Sequence, residues 1–87
     1  MNKIEALKKA VDLAGGQEAL AEKVTALAHS ANALPPHKKI KQQHVFNWIH
    51  REKQCAAKWA GFVSLAVNGG VPASLLRPDL YPVPHEV

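Results

Sequence analysis

Apolar residues recur along this chain three and four positions apart, the spacing of a helix face, with no alternating run that pairs as strands. The first stripe, Ile4, Leu7, Val11 and Ala14, predicts a helix capped by Asn2 and stopped by Gly15-Gly16. A second helix opens at Gln17, with Leu20, Ala21 and Val24 inward and Glu18 and Glu22 near its positive end. Ala21 is small enough for a later helix to cross closely. Leu27 and Ala28 continue the stripe, so this helix is expected to reach about Ser30 or Ala33 before Pro35-Pro36 breaks it. The third stripe, Ile40, Val45, Trp48 and Ile49, predicts a helix over 40–51. A fourth is expected over about Ala56 to Val67, presenting Trp59, Phe62, Val63 and Ala66 and ending at Asn68-Gly69-Gly70. Val71 to Leu76 predicts a short last helix or turn with Pro72 at its first position. Arg77 to Pro82 is expected to be an extended arm anchored by Leu80 and Tyr81. The expected fold is all-α, a compact bundle of about five short helices over 1–82, with 83–87 a flexible tail.

Composition narrows the setting. A chain of 87 residues builds one small domain. Cys55 is the single cysteine, which rules out an internal disulfide and suits a reducing cytosol. The N-terminal residues mix lysines with apolar positions instead of forming a signal-like apolar run, and Ala60 to Val67 is too short to span a bilayer. A cytoplasmic protein with no membrane partner is expected. The net charge of +4 is concentrated: Lys38, Lys39, Lys41, Arg51, Lys53 and Lys58 cluster with one acid, Glu52, among them.

That basic segment contains the third helix, whose outer face carries Gln42, Gln43, His44, Phe46, Asn47 and His50. Adjacent glutamines, an asparagine and flanking cations are the side chains that meet base edges and phosphates in a major groove. Trp48 and Trp59 belong to the core. His37, His44 and His50 lie seven and six apart, which places no pair on one helical turn for a metal. No paired carboxylates, phosphate loop or Cys/His pair suggests catalysis, so neither an enzyme nor a cofactor is expected.

Several segments taken together follow one known pattern: Gly15-Gly16-Gln17-Glu18-Ala19-Leu20-Ala21, Gln42-Gln43-x-Val45-x-Asn47-Trp48-Ile49, Gly69-Gly70 and Leu76-Arg77-Pro78-Asp79-Leu80-Tyr81-Pro82. The chain resembles the small Cro-like and YdaS-type helix-turn-helix proteins of prophages and associated toxin–antitoxin operons, within the lambda-repressor-like superfamily. The resemblance implies a bacterial or phage-encoded repressor or antitoxin that binds a double-stranded operator, often as a homodimer. In the pose it implies, Gln42, Gln43, Phe46 and Asn47 face the groove. A glutamine or asparagine there can pair with adenine, and Phe46 can touch a thymine methyl. Gln17 at the start of the second helix, together with Lys38, Lys39, Lys41, His44, His50 and Arg51, would meet phosphates. Two departures stand out. An insert of about residues 26–39 replaces a turn that usually takes about three or four residues. Lys41 also occupies the place of a Ser or Thr cap. The competing expectation is a protein-interaction module that binds a toxin or repressor through the insert, with residues 26–39 folded over the Gln42/Gln43/Phe46/Asn47 face.

Overall fold

The computed structural model describes residues 2–81, and the tail expected over 83–87 lies outside them. The described chain is all-helical, without a strand: α1 Lys3–Ala14, α2 Gln17–Ser30, α3 Gln42–His50, α4 Ala60–Ala66 and α5 Ala73–Leu76, with a 3-10 turn Ala57–Trp59 before α4. None of these helices is long and apolar enough to cross a membrane.

The helix ends follow from local chemistry. Asn2 Oδ1 accepts the Glu5 N–H at 2.8 Å and its Nδ2 donates to the Glu5 carboxylate at 3.1 Å, which fixes the start of α1. Gly15, at φ 99°, turns the chain left-handed after α1, and the Gly16 N–H closes on the Val11 carbonyl at 2.8 Å. Asparagine does the same at two other ends. Asn32 (φ 55°) closes α2 through an Ala33 N–H bond to the Ala28 carbonyl, and Asn68 (φ 54°) closes α4 through Gly69 N–H to Ser64. Thus α2 stops at Ser30, ahead of Pro35-Pro36, because Asn32 tolerates the left-handed turn.

α2 is the central element and packs against α1, α3 and α4. Leu20 and Val24 are fully buried, and Ala21 fits beneath its neighbours as its small size predicts. The deepest positions of α1 are Ala6, Leu7, Ala10 and Ala14, while Ile4 and Val11 pack at the edge. Val45, Trp48 and Ile49 seat α3 in the same core, joined by Val63, Val71 and Leu76. Trp59 is only half-buried, beside Phe62 at a ring separation of 5.8 Å.

The insert is tied down at its end. The Thr25 hydroxyl donates to the Ala21 carbonyl at 2.7 Å and accepts the Ile40 N–H at 2.9 Å. His29 Nε2 donates to the Lys38 carbonyl at 2.7 Å, and Leu34 and Ile40 turn into the core.

Residues 77–81 form a tight turn, where the sequence suggested an extended arm: both the Leu80 and the Tyr81 N–H bond to the Arg77 carbonyl. Arg77 organises it. Its guanidinium donates to the Cys55 carbonyl at 3.1 Å and grips the Asp79 carboxylate through Nε at 3.0 Å and Nη2 at 2.8 Å. Leu80 and Tyr81 remain exposed, so neither is a buried anchor. The hydrogen bonds from Arg77 hold the Asp79 carboxyl down at about 2, below its ordinary 3.8. The pair's contribution is therefore complete above that ordinary value and fades as the pH falls towards the lower one. Urea unfolding at a series of pH values should show this acid loss, and Asp79→Asn should remove that part of it.

Candidate nucleic-acid interface

The segment Lys41-Gln42-Gln43-His44 begins α3 without a Ser or Thr cap. The cap comes instead from within the first turn. His44 Nδ1 accepts the Lys41 N–H at 2.9 Å, so Nδ1 carries no proton and Nε2–H is left to face outward. His44 stands at the third helical position, which Glu or Gln occupies in a capping box, and this is the signal that could have revealed its role.

The next turn out from the core is the exposed face. Gln42, Gln43 and Phe46 are exposed and Asn47 is half-buried. Gln43 Nε2 donates to Asn47 Oδ1 at 3.1 Å, one turn along the helix. Phe46 is 41% exposed, far more than a core phenylalanine, and its ring centre lies 4.3 Å from that of His50. His50 and Arg51 are exposed at the far end of α3. The insert lies against α2 and edges a groove with His44 and Trp59, leaving Gln42, Gln43 and Phe46 uncovered. The face is open.

Gln17 joins this face from α2. Its Oε1 lies 3.5 Å from Gln42 Nε2, a long contact that brings the N-terminal ends of α2 and α3 side by side. Each end has free backbone N–H groups and the positive pole of its helix, so a phosphate oxygen would be favoured between them. Lys38, Lys39 and Lys41 are exposed at the exit of the insert. Lys39 and Lys41 share a groove with Glu18 and Glu22 of α2, and these carboxylates temper the positive potential on that flank. Lys58 belongs to the same basic run, and its Nζ sits 4.9 Å from the Trp59 ring, a cation–π contact.

Cys55 is fully buried in the shared core, and burial pushes its thiol up to about 12. It stays protonated, which makes it a core side chain instead of a nucleophile. Among the described residues no three His, Cys, Asp or Glu side chains gather where a metal ion could be held.

The family model described as bacterial toxin YdaS matches residues 7–85, nearly the whole chain. The chain belongs to the YdaS family. No curated protein matches it, and no solved structure does either. The YdaS match extends from within α1 to beyond the Arg77–Asp79 turn.

Proposed function

We propose that this YdaS-family protein is a sequence-specific DNA-binding regulator of transcription, a Cro-type repressor or autoregulating antitoxin, acting without catalysis in the bacterial cytoplasm. The observation that carries this reading is the uncovered face of α3. There Gln42, Gln43, Phe46 and Asn47 stand beside the N-terminal end of α2 and are flanked by exposed Lys38, Lys39, Lys41 and Arg51. In this mechanism α3 enters the major groove and its amides meet base edges. Gln17, the cations and the imidazoles of His44 and His50 hold the backbone. Two copies would bind half-sites about one helical turn apart. Leu13, Leu65, Leu80 and Tyr81 are exposed apolar side chains away from α3 that a second copy, or a toxin or repressor partner, would cover.

The toxin description names an outcome for a cell and leaves the molecular act open. A protein that occupies promoters selectively can produce that outcome by silencing genes. The interaction-module reading has less support, because it needed residues 26–39 to lie over the α3 face, whereas Leu34 and Ile40 turn inward and the face stays open.

Fluorescence anisotropy with labelled DNA from just upstream of the protein's own gene, against scrambled DNA, tests the proposal. Selective, cooperative binding is expected. Gln43→Ala should erode the preference by about tenfold or more, whereas Lys39→Ala should weaken both DNAs alike. Equal, weak binding to both DNAs would sink the regulator reading.

A further inference from the structure

Of the polar side chains on the α3 face, Gln43 and Asn47 are joined by a hydrogen bond, Nε2 to Oδ1 at 3.1 Å. Taking α3 as the groove-reading element, as proposed above, this bond has a consequence for specificity. A glutamine amide has one oxygen and two N–H groups, one on the same side as the oxygen and one pointing away. Bidentate pairing with adenine uses the oxygen, for the N6 amino group, and the N–H beside it, for N7. The N–H pointing away is left over. A neighbour that accepts it holds the adenine-reading edge outward without competing for it.

Asn47 Oδ1 supplies an acceptor for Gln43 Nε2 from one turn further along the helix, and in the adenine-reading arrangement it takes the left-over N–H. It is half-buried and one torsion shorter than Gln43, so it is the less mobile member of the pair. If the exposed Gln43 amide turned over alone, its oxygen would face Asn47 Oδ1, acceptor against acceptor, so the bond survives only if the half-buried Asn47 amide turns with it. Without Asn47 the Gln43 amide could present either edge, and the donor–acceptor order that distinguishes adenine would be lost. Gln42 has no comparable restraint, since its contact with Gln17 is stretched to 3.5 Å.

We propose that Asn47 is a positioning residue. It fixes the Gln43 amide so that Gln43 reads an adenine, and this role takes the place of the direct base contact given to Asn47 above. The two side chains then form one reading unit, which requires an acceptor at position 47 and not an amide as such.

The test is selection of bound sequences from a pool of randomised duplexes by the full chain and by Gln43→Ala, Asn47→Ala and Asn47→Asp. Alanine is a good helix former on this half-exposed face, so Asn47→Ala keeps α3, which circular dichroism will register. The wild type should enrich adenine at one half-site position. Gln43→Ala and Asn47→Ala should each relax that same position by about tenfold. Asn47→Asp keeps the acceptor, so it should restore the adenine preference while its negative charge weakens binding to every duplex. A purely structural Asn47 would lower all binding evenly, and aspartate would restore nothing. The proposal is overturned if Asn47→Ala leaves the adenine position intact or relaxes a different one, while the wild type still selects a sequence. If the wild type enriches no sequence at all, the DNA-reading function itself fails, and this inference with it.

Discussion

Replacing Trp48 with alanine is expected to cost about 3–5 kcal/mol, the range for emptying a buried large aromatic site. Trp48 is 4% exposed and packs in the cluster shared by α1, α2, α3 and α4, with Val45 and Ile49 on the same helix. At roughly 0.05–0.15 kcal/mol per residue, 87 residues give a total of about 4–13 kcal/mol, so the loss is a large part of the whole. Urea titration followed by far-ultraviolet circular dichroism should show a much lower midpoint with an unchanged slope. Trp48→Phe keeps much of the volume and should lose far less. Equal midpoints for wild type and Trp48→Ala would mean that α3 is not held by this residue. DNA binding should fall in step with the fraction unfolded, which separates this variant from Gln43→Ala, where the fold is intact.

The second large effect is ionic strength. The four cations assigned to phosphates, Lys38, Lys39, Lys41 and Arg51, are all exposed. Each neutralised phosphate adds about −0.9 to the slope of log affinity against log salt, so one protomer gives about −3.6 and a dimer about −7. Raising salt from about 50 to about 200 mM should then weaken a monomer roughly a hundredfold and a dimer roughly ten-thousandfold. The slope thus reports how many copies sit on the DNA. The carboxylates of Glu18 and Glu22, beside Lys39 and Lys41, should hold the measured slope somewhat below these values. A flat salt response would exclude phosphate contact by these side chains.

Much of the fold was legible in the sequence because helical spacing is a local signal. Leu20, Ala21 and Val24 declared one face, Val45, Trp48 and Ile49 another, and both lie in the core. The direction of the Gln42/Gln43 face followed from the same period, since a helix that buries Trp48 must turn its amides outward. What the spacing could not supply were bonds between residues distant in sequence. The Thr25 hydroxyl meets Ile40, and Arg77 reaches the Cys55 carbonyl, and neither partner is marked by any local pattern. The end of α2 was blurred for a different reason: proline forbids a helix outright, while Asn32 only permits the left-handed turn that stops it. The cap on α3 was hidden because an imidazole at the third position does what a carboxylate or amide usually does.

The insert has a neck. Thr25 and His29 on one side, and Lys38 and Ile40 on the other, are bonded across it, while Ser30, Ala31, Asn32, Pro35, Pro36 and His37 face solvent. Closing a loop that is already pinned costs little more as it lengthens, about 0.6 kcal/mol for each doubling. Residues added between Pro35 and His37, clear of the Asn32 cap and of Leu34, should therefore leave the unfolding midpoint almost unmoved, whereas deletions that break the Thr25–Ile40 bond should not. The tip is a site where this fold can change length, or carry a grafted peptide or fluorophore, without disturbing the helix it borders.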